Sequence, residues 1–151
     1  MDLLTFDTQP LLADTEVTGP IASDIFLSCD CKDVDVWARL YDVAPDGGAW
    51  NLMSPGADVQ RASYRDMEKG RQLLRPGQIY EIRIQGPVTS SVFKKGHRIR
   101  IQVSGSFFPN FSRNLQNGEL ETLSANSIKA TIRIYHDRAH PSHVVLPIVA
   151  R

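Results

Sequence analysis

Asp33-Val34-Asp35-Val36-Trp37-Ala38-Arg39-Leu40-Tyr41-Asp42-Val43 alternates along its length. Val34, Val36, Ala38 and Leu40 fall on one side, and Asp35, Trp37, Arg39 and Tyr41 on the other. Successive side chains leave a strand on opposite faces, so a period of two marks a half-buried strand with charge outward. The same period recurs at 80–84, 98–103 and 129–135, with weaker runs at 15–18, 21–28, 50–53, 60–64 and 144–149. Between the runs lie Gly19-Pro20, Pro45-Asp46-Gly47-Gly48, Pro55-Gly56, Pro76-Gly77, Gly86-Pro87 and Lys94-Lys95-Gly96, expected as turns because they supply preset or positive φ. Residues 66–74 are charged nearly all round and read equally as two helical turns or a loop. Residues 104–125 are long, polar and aromatic without a period, which reads as a functional or packing loop. The expected fold is all-β with little helix: two antiparallel sheets packed face to face, in a single domain over residues 1–151.

Composition narrows the classes. The chain has 151 residues and a net charge of +0, which argues against a nucleic-acid binder driven by phosphate neutralisation. No apolar run approaches the ~18 residues of a membrane span, and Met1-Asp2-Leu3-Leu4-Thr5 lacks a signal-peptide pattern, so no membrane partner and a cytoplasmic location are expected. The zero charge hides an asymmetry: residues 1–60 carry 2 basic and 11 acidic side chains, and residues 61–100 carry 10 and 3. The favoured reading is that acidic and basic strands lie side by side and neutralise each other across a sheet; a basic binding surface is the other. Cys29 and Cys31 are the only cysteines. In an extended strand their Cα atoms would stand roughly 6.5 Å apart with parallel Cβ vectors, so two free thiols are expected.

Motifs for chemistry are mostly missing. No Gly-x-Ser-x-Gly occurs; Ser104-Gly105-Ser106 lacks the outer glycines and a following helix. No catalytic residue and no cofactor site is assigned, and the chain alone is expected not to be an enzyme. His136-Asp137-Arg138-Ala139-His140-Pro141-Ser142-His143 holds three imidazoles and a carboxylate, yet no regular spacing orients them, so it reads as an exposed loop and no metal site is assigned. Asp33 and Asp35 suit acid–base work or calcium, but read first as a solvated strand face. Trp37, Tyr41 and Trp50 would serve a sugar-stacking platform, or a second layer of core or contact.

Several of these segments resemble one family in order and spacing. They are Glu16-Val17-Thr18-Gly19-Pro20, residues 35–43, Pro45-Asp46-Gly47, Pro76-Gly77-Gln78-Ile79-Tyr80, Thr89 with Val92-Phe93, and Gly96-His97-Arg98-Ile99-Arg100. Ser104-Gly105-Ser106-Phe107-Phe108-Pro109, Arg113-Asn114 and His140-Pro141-Ser142-His143-Val144-Val145-Leu146-Pro147 complete the set. Together they resemble the C-terminal, non-catalytic domain of the cocaine esterase, α-amino acid ester hydrolase and X-prolyl dipeptidyl-peptidase family. The resemblance implies a jelly roll of galactose-binding-like type. It also implies a parent serine hydrolase whose triad lies upstream, in an α/β-hydrolase domain with a helical cap. Where the family has Asn-x-Asn-Thr-Gly, this chain has Asn114-Leu115-Gln116-Asn117-Gly118.

The expected function is therefore a stabilising domain that packs on the catalytic and cap domains and supplies one wall of the substrate pocket. The alternative is an autonomous carbohydrate- or ligand-binding sandwich. The candidate inter-domain contact is the loop bearing Phe107, Phe108, Phe111, Arg113 and Asn114. Three phenylalanines within five residues either plug one end of the sandwich or face a partner, with Arg113 and Asn114 fixing the loop through hydrogen bonds. In the second case at least one ring stays over a third exposed, and the isolated chain self-associates into a homo-oligomer.

Overall fold

A computed structural model describes residues 3–53 and 56–150. Among these, nine strands form two antiparallel sheets: β1 (Leu3–Asp7), β2 (Thr15–Cys29), β3 (Asp35–Val43), β4 (Ala49–Asn51), β5 (Val59–Arg61), β6 (Tyr80–Phe93), β7 (Arg98–Ser104), β8 (Ile132–Tyr135) and β9 (His143–Val145). One sheet runs β1-β7-β3-β4, with β5 also on β3; the other runs β6-β2-β8, with β9 also on β2. The described residues contain no α-helix, only a 3-10 turn at Ala62–Tyr64, and residues 66–74 form turns and irregular chain. No helix there is long and apolar enough to cross a membrane.

The inner faces follow the alternation. Val36, Ala38 and Val103 of one sheet, with Val34 just before β3, meet Ile25, Leu27, Ile82 and Ile84 of the other in one buried cluster. A second cluster gathers Val17, Ile21, Leu40, Phe93 and Ile99. Two expected turns are strand instead. Gly19 and Pro20 of β2 lie opposite Thr89 and Val88 of β6, and the register then shifts across Gly86-Pro87. One residue of β2, Ile21, faces two of β6 there, which is the count of a β-bulge. Gly86 takes φ 141°, open to glycine, and proline has no N–H for a continuous ladder, so the pair bends the strand without ending it.

The charge asymmetry resolves as ion pairs between the acidic first third and the basic middle. Asp7 pairs with Arg100 at 2.7 Å across β1 and β7, and Asp24 with Arg83 at 3.3 Å across β2 and β6. Asp35 pairs with Arg61 at 2.8 Å across β3 and β5, and Asp14 with Lys94 at 2.9 Å.

The cysteines depart from expectation: Cys29 and Cys31 form a disulfide. Strand β2 ends at Cys29 and residues 30–32 bend, so the Cα atoms stand 5.2 Å apart rather than at extended spacing. The bend removes the geometric objection to a bridge.

Candidate functional site

The outer face of β3 is not solvated. Asp35, Trp37 and Arg39 are all buried, because residues 105–121 and 56–58 lie over them. Trp37 is covered by Phe107 and Phe111, with ring centroids 5.5 and 4.9 Å away. The Arg39 guanidinium lies 3.2 Å over the Phe107 ring and 4.9 Å from that of Trp37, a cation held against two π faces. Its Nε donates to Asp58 Oδ2 at 2.5 Å, and Asp58 is fully buried. Asp58 Oδ1 accepts from the Gly56 N–H, and Gly56 takes φ 89°, a conformation that a residue with a side chain rarely adopts.

A second set of polar contacts pins the far half of the loop. Asn114 is buried and its Nδ2 donates to Asp35 Oδ1 at 3.0 Å. Arg61 bridges Asp35 and Glu121, donating to both carboxylates. Hydrogen bonding from Arg61 holds the Glu121 carboxyl below its ordinary range, and the two carboxylates push the Arg61 pKa up. The Lys32 N–H donates to the Gln116 carbonyl, fastening the loop to the bend after β2. Gln116 adopts φ 65°, in the left-handed region that asparagine and glycine enter more easily.

Of the sequence-derived residues, Phe107 is half-buried, Asn114 is buried, and Arg113 is exposed. Phe108 is 56% exposed and Phe111 36% exposed. Asn114 Nδ2 hydrogen-bonds Asp35, whereas Arg113 stacks over Phe108 at 5.1 Å. Arg39, Asp58, Arg61 and Glu121 complete the platform. Periodicity does not reveal these pairings, since the partners lie far apart in sequence; the charge imbalance between residues 1–60 and 61–100 hinted only at Arg61 with Asp35.

Other candidates resolve structurally. Asp33 is buried rather than solvated: its carboxylate accepts from the N–H groups of Val34 and Ser63 and from the Ser63 hydroxyl. Both aspartates sit inward because neighbouring N–H, hydroxyl and guanidinium groups replace water. Trp37 lies under the loop and presents no sugar-stacking face with Trp50, which is exposed on β4. The histidine-rich segment joins β8 to β9. There Asp137 accepts from the backbone of Ala139 and His140, and Ser142 Oγ accepts from Phe26 N–H. No metal-holding cluster occurs among the described residues. Ser104 Oγ donates to the Ser106 carbonyl, and Ser106 Oγ accepts from Phe108 N–H.

Fold and site thus describe a β-sandwich with an aromatic, ion-paired loop folded over the outer face of β3. Residues 1–145 match the family model for the X-Pro dipeptidyl-peptidase C-terminal non-catalytic domain, and the chain belongs to that family. It is 39% identical over 156 residues to the cocaine esterase of Rhodococcus sp. (strain MB1 Bresler), covering 99% of this chain and 26% of that protein. A putative serine esterase of Mycobacterium bovis is 28% identical over 97% of the chain and 24% of its own length. Among solved structures, an aminopeptidase from a marine sediment Thaumarchaeota archaeon superposes with a TM-score of 0.90 at 30% identity, over 99% of this chain and 26% of that one. An α-amino acid ester hydrolase superposes with 0.87 at 26% identity, over 98% of this chain and 26% of that one. The chain therefore spans about a quarter of the length of these relatives and corresponds to their C-terminal part.

Proposed function

We propose that this chain is the non-catalytic domain of a serine ester or peptide hydrolase, docking on the catalytic and cap domains through the 105–121 loop and forming one wall of the substrate pocket. The observation that carries this reading is the division of the aromatic cluster. Trp37, Phe107, Arg39 and Asn114 build a rigid base, while Phe108 and Phe111 are left 56% and 36% exposed above it. Rings held by a buried foundation lose little entropy on docking, which is how aromatic anchors come to dominate an interface.

The test is a chimera in which this chain replaces the corresponding part of the Rhodococcus cocaine esterase. Phe108→Ser and Phe111→Ser should both lower the chimera's melting temperature and its ester turnover. In the isolated chain Phe108→Ser should leave the melting temperature nearly unchanged, whereas Phe111→Ser should lower it as well, because that ring covers Trp37. A chimera indifferent to both substitutions would refute the docking surface. The isolated chain should also self-associate through the uncovered rings, and sedimentation of the same variants reads this directly.

A further inference from the structure

One side of the sandwich is unfinished. Among the described residues, strand β1 pairs only with β7, and β8 and β9 pair only with β2, so each sheet ends there in an unpaired edge. Leu4 lies opposite Val103 and Phe6 opposite Ile101, so these two residues of β1 share the inner face with core residues. Yet Leu4 is 46% and Phe6 42% exposed. Opposite them, Ile132 and Ile134 of β8 are only partly covered. Between the two sheets lie a cavity of about 470 Å³, bounded by Phe6, Ile101, Ile134 and Leu146, and another of about 400 Å³, bounded by Leu4, Val103 and Ile132. Val103 and Ile134 border both.

We propose that this cleft receives an extended segment from the catalytic portion of the parent chain, added as a strand along the free edge of β1 with alternate apolar side chains turned inward. The inference rests on the reading of this chain as one part of a longer hydrolase. Three observations select this occupant. The cleft is bordered lengthwise by unpaired main-chain edges, whose N–H and C=O groups another strand satisfies and a small apolar molecule does not. Its inward residues repeat every second position, so the partner must alternate in the same phase. The relatives carry about three-quarters of their length outside the matched part, so their chain has ample length to supply such a strand. A segment matching β1 spans about 17 Å at ~3.3 Å per residue.

Two experiments test it. In the first, the two residues before Leu3 are replaced by Val-Thr-Val-Thr-Val-Thr-Asn-Gly. The Asn-Gly turn folds the added strand back along β1, with its valines opposite Leu4, Phe6 and Thr8. The control, Thr-Val-Thr-Val-Thr-Val-Asn-Gly, has the same composition one residue out of phase. The in-phase chain should melt several degrees higher and exchange the amides of Leu3–Asp7 about tenfold more slowly, with little change in the control. Equal effects from both extensions, or none from either, would overturn the proposal. So would a dimer of the unextended chain that the in-phase strand dissolves, which would make a second copy the occupant.

The second experiment compares amide exchange at Leu3–Asp7 in the isolated chain and in the cocaine esterase chimera. Protection of about tenfold in the chimera is expected. A folded, active chimera with those amides still fast would sink the strand proposal while sparing the docking reading. A chimera that responds to neither Phe108→Ser nor Phe111→Ser, but protects Leu3–Asp7, would do the reverse.

Discussion

The outer face of β3 and the cleft beside β1 are two surfaces of the same sheet with opposite fates. The β3 face carries charged and aromatic residues, yet the chain covers it itself, supplying the Asp58 carboxylate for Arg39 and the Arg61 guanidinium for Asp35. The β1 side carries leucine and phenylalanine on its inner face, yet those side chains remain over 40% exposed. Polar composition therefore does not mark the solvent face here, and apolar composition does not mark the filled core. What separates the two is whether a second segment of chain is present to close the surface.

If that contrast is right, the largest loss comes from the covered face. Arg39→Ala leaves Asp58 buried without its cation and should destabilise the chain by about 3–5 kcal/mol in urea titrations. A loss below about 1 kcal/mol would mean that water already reaches Asp58.

The aromatic layer should divide next. Phe107→Ala removes the ring packed on both Arg39 and Trp37 and should cost about 2 kcal/mol, whereas Phe108→Ala should cost under about 0.5 kcal/mol in the isolated chain. Equal costs would erase the distinction between foundation and docking rings. On the cleft side, Leu4→Ser and Phe6→Ser should each cost about 1 kcal/mol or less, because much of each side chain already meets water. A cost of several kcal/mol would show the cleft to be closed in solution.

The smallest effect is in acid. Arg61 holds Glu121 below the ordinary carboxylate range, and Arg100 does the same for Asp7 at the cleft rim. A depressed folded-state pKa gives stability that is present above the unfolded value and lost as pH falls through the folded one. The melting temperature should therefore hold down to about pH 4 on this account and drop below it. Glu121→Gln should flatten that drop more than Asp7→Asn, because Glu121 is the more enclosed and belongs to a network with Arg61 and Asp35. Identical acid profiles for both variants would mean that enclosure by the loop adds nothing.

Much of the architecture was legible from local pattern. Alternation in 33–43, 80–84 and 98–103 located β3, β6 and β7, since a period of two is a property of each segment by itself. β1 escaped because Leu3-Leu4-Thr5-Phe6-Asp7 alternates too briefly to stand out. The aromatic loop was recognisable from three phenylalanines in five residues, and Asn114 from its place in the family pattern. Which rings lie down and which stand up was not legible, because that depends on Arg39 and Trp37, about 70 residues earlier.

Sequence alone determined the all-β class, the balance of acidic against basic strands, and the family, because periodicity, charge and ordered motifs are carried by the chain without reference to its fold. Tertiary structure alone decided that Asp33, Asp35 and Arg39 are interior, that Cys29 reaches Cys31, and that Leu4 and Phe6 border an open cleft. The physical reason is common to all three. Burial, close approach and vacancy depend on which distant segments meet a surface, and a local pattern specifies a face without specifying what, if anything, covers it.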